Sequence, residues 1–377
     1  MKRVLITSNL YLPNIGGIEN SLYYLAKAGE KDSITIVSSN IIDSSNSGYE
    51  RESLKCQILK YKVPKTKCKI FNFIWHCINA FKIYKKIKKN GCDVVISRFH
   101  LNTLLCKIAG LENVNYLVPG VIKYQNSPKD MDDKFSVLST YIKYKIHTII
   151  QYFALRVADK IYVFSSNMKK QIKSIYQNAD VTIVSPGIDY KKFYFNNLTP
   201  KETINLLIVS RLVSDKNIEM AIESMSYLSD EYFLTIVGDG PLRTSLENLV
   251  NELKLTSRIN FQGSQSDVVP FYQESHIFLL PSTYEPFGQT ILEASCCGLP
   301  VVAFSSDIVD TATYEILNNY GIYAMKLDSK SYANAIKKAY GIYYKKKQID
   351  RKDLRNFIIK KYSWEKLYRK LIGELHD

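Results

Sequence analysis

Short apolar runs recur along the first half of the chain and alternate with longer segments whose apolar positions fall every three or four residues. The runs at 4–7, 33–38, 93–97 and 161–164 read as strands, and the periodic segments at 20–28, 70–87 and 137–157 read as helices. The pattern restarts at Asn205, with strands expected at 206–209, 233–237, 259–261, 277–280 and 301–304 and helices at 218–228 and 242–253 among them. Runs that are apolar throughout suit strands buried on both faces of a parallel sheet, and their alternation with helices predicts the α/β class. Two doubly wound domains in series follow, joined near residues 185–201. The opening MKRVLITSNL has an apolar run too short for a signal peptide, interrupted by Thr7, Ser8 and Asn9, and reads as a first strand. No stretch approaches the ~20 apolar residues of a spanning helix.

One junction carries the clearest chemistry. The segment PSTYEPFGQTILEASCCGLPVVAF, residues 281–304, follows an expected buried strand and leads through a loop into a helix that stops at Gly298 and Pro300. Backbone N–H groups of Gly288, Gln289 and Thr290 at that helix start point out of the carboxyl end of the sheet, where anions bind. Two carboxylates flank the place: Glu285 in the loop and Glu293 about a turn inside the helix. A carboxylate accepts from paired hydroxyls, so the pair suits a sugar; on spacing alone, two solvated glutamates on an ordinary strand and helix are the weightier reading.

Composition leaves the class unchanged, since 46% hydrophobic and 23% charged residues over 377 positions describe an ordinary globular protein large enough for two cores. Charge adds something. Residues 1–186 hold 28 basic against 13 acidic residues, a net +15, whereas residues 187–377 hold 23 of each. A basic half joined to a neutral half predicts that one domain faces a polyanion or an anionic membrane surface. The excess concentrates at 55–89, where Ile70, Ile74, Ile78, Phe81 and Tyr84 share a helical face, Phe71 and Trp75 extend it, and lysines crowd both ends. That reads either as a sheet-packing helix with a lysine-rich end or as an amphipathic interfacial helix. Seven scattered cysteines without metal-ligand spacing point to a reducing cytosol.

The 281–304 run resembles the signature of the retaining glycosyltransferases of the GT-B fold, family 4 of the sequence-based classification, usually E-G-F-G…E-A…G-x-P-V, with Pro286 here in place of the usual glycine. Other segments are similar to the same family. YLPNIGGIEN places Gly16 and Gly17 before a helix starting near Glu19, and LLIVSRLVSDKNIEMAI places Arg211 after a strand and Lys216 at the next helix start. VGDGPLR with Gly238, INFQGSQSDVVPFY with Gly263, VSPGIDYKKF between the halves and YSWEKLY at the far end complete the match. VGDGPLR lacks the third glycine and downstream acid of a dinucleotide fingerprint.

The resemblance implies two Rossmann-like domains facing a central cleft: an acceptor-binding domain at 1–186 completed by a helix at about 362–377, and a nucleotide-sugar domain at 187–361. It implies a metal-independent hexosyltransferase without cofactor, acting from a nucleotide diphosphate sugar on a glycan or lipid-linked glycan of the capsule, O-antigen or lipopolysaccharide type. Glu293 would hold the donor ribose and Glu285 the transferred sugar. Backbone from Phe287 and Gly288 to Gln289 and Thr290 would hold the sugar and phosphate, Gly16 and Gly17 the diphosphate, and Gly238 and Gly263 the base. Arg211 and Lys216 would neutralise the leaving diphosphate in place of a metal. His100, after strand 93–97, would line the acceptor side, although the second histidine common in relatives is replaced by Pro119 and Gly120. Asp130-Met131-Asp132 has the D-x-D form of another fold's metal site but follows no buried strand and reads as a solvated loop. The expected location is the cytoplasm, peripheral on the inner face of the cell membrane. A hydrolase or phosphorylase on the same fold is the alternative within enzymes, and a basic nucleic-acid-binding protein the alternative outside them, disfavoured because no binding motif is present.

Overall fold

The computed structural model describes residues 1–14, 16–42, 54–64, 66–124, 134–198 and 202–375. The D-x-D segment lies outside the described residues. The chain divides into two compact units, one of Met1–Gly187 with Trp364–Asp377 and one of Ile188–Ser363.

In unit 1, strands β1 (Arg3–Thr7), β2 (Ser33–Ser39), β3 (Gln57–Tyr61), β4 (Val94–Ser97), β5 (Val114–Leu117), β6 (Lys160–Val163) and β7 (Val181–Ile183) form one sheet in the order β3-β2-β1-β4-β5-β6-β7. All pairs are parallel. Helices α1 (Gly17–Ala28), α2 (Lys69–Asn90), α3 (His100–Ile108), α4 (Lys134–Val157) and α5 (Ser166–Ile175) connect the strands. Strand order reverses between β1 and β4, so the crevice at their carboxyl ends is where this topology places a ligand. The continuous apolar runs of β1 and β4 are buried along almost their whole length. By contrast β3, an edge strand, exposes Gln57, Ile58 and Lys60 and carries no long apolar run, which is why the pattern does not announce it.

Unit 2 repeats the plan. Its strands β8 (Ile204–Val209), β9 (Tyr232–Val237), β10 (Ile259–Gly263), β11 (Ile277–Leu280), β13 (Val301–Phe304) and β15 (Ile322–Ala324) form a parallel sheet in the order β10-β9-β8-β11-β13-β15. A small pair, β12 (Tyr284–Glu285) and β14 (Asp310–Thr311), stands beside it. The helices are α6 (Ile218–Ser224), α7 (Arg243–Glu252), α8 (Val269–Glu274), α9 (Gln289–Cys296), α10 (Thr313–Leu317), α11 (Ser329–Tyr340) and α12 (Arg351–Lys361). Here the reversal falls between β8 and β11.

The chain then returns to unit 1 through α13 (Trp364–Leu371). Its sequence WEKLYRKL buries Trp364, Leu367, Tyr368 and Leu371, one helical stripe. Trp364 stacks on Tyr24 at 5.4 Å, the Tyr368 hydroxyl donates to Asp32 at 2.9 Å, and Asn115 donates to the Leu371 carbonyl at 2.6 Å. Gly187 marks the crossing point, because a Cβ there would lie 2.2 Å from the Trp364 nitrogen. Among the described residues no helix is long and apolar enough to cross a membrane.

Candidate active site

The loops after β8 and β11 meet at the switch point of unit 2. The β8 loop passes Arg211 and makes a 3-10 turn at Ser214–Lys216 before Asn217, whose φ of 47° lets the chain turn into α6. Thr283 donates its N–H to the Asp215 carbonyl at 2.9 Å, and the Asn217 amide donates to the Pro281 carbonyl at 3.3 Å, so the two loops are tied together. Between them the Lys216 ammonium donates to Glu285 Oε2 at 2.5 Å, with each side chain only 15% exposed. An ion pair this withdrawn from water is a local feature that a solvated surface lysine and glutamate would not produce. Glu285 is held from behind by β12: its carbonyl accepts from Ala312 at 3.1 Å, and it pairs in register with Thr311. Arg211 is exposed at the same loop.

Gly288 stands directly before α9 with φ of 91° and no side-chain cap. A Cβ on it would come 2.6 Å from Ile291 Cδ1 and 3.1 Å from Glu285 Cγ, so glycine here keeps both the turn and the position of Glu285. Phe287 is buried, with its ring 6.0 Å from Tyr362, while Gln289 and Thr290 open α9 half-buried. One turn on, Glu293 accepts at Oε2 from the Tyr272 hydroxyl at 2.9 Å. Burial pushes the Glu293 carboxyl up to about 7, against the Tyr272 hydrogen bond and the charge of Lys192, which pull it down. A third loop joins them. Gly238 after β9 has φ of 130° and donates to the Gly263 carbonyl at 2.8 Å, and Leu212 of the β8 loop donates to Asp239 at 3.0 Å.

At the switch point of unit 1 the β4 exit bears Arg98, buried, its guanidinium pulled down to about 10 by burial while Tyr116 and Glu19 act to raise it. Glu19 belongs to α1, which begins at Gly17 rather than near Glu19 as the sequence suggests; Gly16 is extended, and Gly17 has open space where a Cβ would stand. Past the carboxyl ends of β1 and β4 lies a cavity of about 480 Å³ lined by Asn9, Ile41, Phe73, His76, Phe99 and His147, among others. His100, the first residue of α3, is buried, and its Nε2 lies 2.6 Å from Nδ1 of His147 on α4. Burial lowers His100 to about 3, with His147 adding to the effect, and burial lowers His147 also, helped by Lys143. His76 falls to about 4 for the same first reason and has its Nε2 3.0 Å from the Tyr61 hydroxyl. Sequence reading singled out His100 alone. His76 and His147 sit singly inside helical patterns, and only the fold brings three imidazoles together.

The structure thus brings Lys216, Glu285, Gly288 and Glu293 into one place in unit 2, with Arg211, Gly238 and Gly263 on its adjoining loops, and leaves Gly16, Gly17 and His100 in unit 1. Two doubly wound parallel-sheet units in one chain, each with its loops at a switch point, define the GT-B fold. Residues 189–356, which lie within unit 2, match the family described as glycosyl transferases group 1. Alpha-monoglucosyldiacylglycerol synthase of Acholeplasma laidlawii is 25% identical over 341 residues, covering 82% of this chain and 81% of that protein. The UDP-Gal:alpha-D-GlcNAc-diphosphoundecaprenol alpha-1,3-galactosyltransferase of Escherichia coli is 26% identical over 278 residues, 68% of this chain and 68% of its own. Among solved structures, Anabaena HepE in complex with UDP-glucose superposes with a TM-score of 0.73 at 15% identity over 100% of both chains.

Proposed function

We propose that the chain is a retaining, family 4 glycosyltransferase that moves a hexose from a nucleotide diphosphate sugar to a hydroxyl of a lipid-linked glycan. The withdrawn Lys216–Glu285 pair at the unit 2 switch point, in the loops that lead to the helix bearing Glu293, carries the reading. Glu293 takes the ribose hydroxyls, Glu285 the transferred sugar, and the α9 start its phosphate side. Arg211 and Lys216 supply the positive charge that stabilises the departing diphosphate, so transfer needs no metal ion. HepE holding UDP-glucose on this fold supports a uridine nucleotide as the first donor to try. The diacylglycerol and diphosphoundecaprenol in the names of the two relatives support a lipid acceptor.

Glu293 gives the test its sign. A carboxyl raised from 4.5 to about 7 binds a proton in the folded chain that the unfolded chain has lost, so its contribution to stability falls as pH rises from about 4.5 to 7. Hydroxyl donors favour the ionised form. Calorimetric titration with a panel of nucleotide sugars, in EDTA, should therefore find one donor whose affinity rises from pH 6 to 8 with proton release. Glu293→Ala should weaken it about 10- to 100-fold, the loss of charge-assisted hydrogen bonds. A Glu293→Ala variant binding as tightly as the parent would sink the assignment.

We further propose that unit 1 sits on an anionic membrane surface. Helix α2 exposes Ile70, Phe71, Ile74 and Ile78, and its carboxyl half carries Lys82, Lys85, Lys86, Lys88 and Lys89. Each cation near such a surface contributes about 1 kcal/mol. In flotation with phosphatidylglycerol vesicles the protein should rise at low salt and stay down at high salt. Binding that ignores salt, or none, contradicts this.

A further inference from the structure

The cavity in unit 1 has a chemistry of its own. It opens at the carboxyl ends of β1 and β4, between α2 and α4, and Ile41, Phe73, Phe99, Leu101 and Ile122 make its wall mostly apolar. Its polar groups are few: Asn9, His76 and, on successive turns of α4, Lys143 and His147, with Tyr144 beside them. A pocket of this size and lining fits a small amphiphile better than a free sugar.

His147 reaches the cavity, whereas His100 lies buried behind it and does not. Their rings stand at 90° with centroids 4.9 Å apart, and the contact is made by His147 Nδ1. That leaves His147 Nε2 as the ring nitrogen not taken by His100. Burial keeps both rings uncharged at neutral pH. The two tautomers are therefore coupled: when the Nδ1–H of His147 donates to His100 Nε2, the Nε2 of His147 is bare and accepts from a hydroxyl.

We propose that His147 is the acceptor-contacting residue, receiving a hydrogen bond from the sugar hydroxyl of an amphiphilic acceptor whose apolar portion fills the cavity, and that His100 is a positioning residue that fixes its tautomer. The inference rests on the glycosyltransferase reading but uses only unit 1. It supplies from α4 an imidazole that the loop at Pro119 and Gly120 lacks.

The test uses n-octyl β-glucoside below its micelle-forming concentration, with methyl β-glucoside as the control, and reads the imidazole resonances of the full chain, which has five histidines. Octyl glucoside should shift the His76 and His147 signals saturably, and methyl glucoside should not. His147→Ala should weaken octyl glucoside binding about tenfold, the loss of one hydrogen bond. His100→Ala should weaken it similarly, and His100→Gln, whose amide can occupy the place of Nε2, should restore it; thermal melts keep folding apart from binding. Unmoved His147 signals, or a His147→Ala variant that binds as well as the parent, would overturn the proposal. Failure of the donor reading shows separately, as absence of nucleotide-sugar binding in calorimetry.

Discussion

Lys216→Ala is expected to lower kcat for sugar transfer by about 10²- to 10³-fold, the loss that follows removal of one preorganised charge from a developing anion. The same change should also destabilise unit 2. Lys216 and Glu285 are each 15% exposed, so deleting the ammonium leaves a carboxylate withdrawn from water without its partner, at a cost of about 3 kcal/mol. Glu285→Gln separates the two effects. Its amide oxygen still accepts from Lys216 although the counter-charge is gone, so thermal stability should fall less than in Lys216→Ala, while turnover at saturating donor should drop as far. Kinetics and melts on both variants check this. Equal turnover in Glu285→Gln and the parent would show that the pair only braces the loops.

Gly238→Ala should have the largest effect on folding, because two independent penalties coincide there. The φ of 130° lies where side chains are strained, about 1–3 kcal/mol. The added Cβ would stand 1.9 Å from the Ser210 carbonyl oxygen, a backbone atom that cannot turn aside, so the end of β8 must move. Overpacking of this kind costs about 1–3 kcal/mol more. The movement carries the loop that begins with Arg211 and ends with Lys216, so any folded fraction should bind donor poorly. Denaturant unfolding followed by calorimetry measures both. Gly341→Ala, where a Cβ meets nothing within 4 Å, is the matched control and should be close to neutral.

The fold was most legible where burial is most complete. Strands β11 and β13 are buried at every residue, and their sequences IFLL and VVAF are unbroken apolar runs. Legibility faded at the edges: β3 is mostly exposed and mixes polar with apolar residues, β15 has three residues, and β12 and β14 have two each, too short for any periodicity. The candidate site was legible through residue types and their place after strands. Its contacts were not. Lys216 and Glu285 are 69 residues apart, and His100 and His147 are 47 apart, distances across which no local pattern operates. Glu293 illustrates both sides: its helix position follows from spacing, while its raised pKa depends on burial beside Tyr272 of another helix.

Whether the unit 2 switch point holds a sugar diphosphate is decided by comparing two ligands on two proteins. The nucleotide sugar that binds best and its nucleoside alone are titrated calorimetrically into the parent chain and into Lys216→Ala. The variant should lose at least tenfold in affinity for the nucleotide sugar while binding the nucleoside as the parent does. Unchanged affinity for the nucleotide sugar would contradict a sugar diphosphate at that switch point.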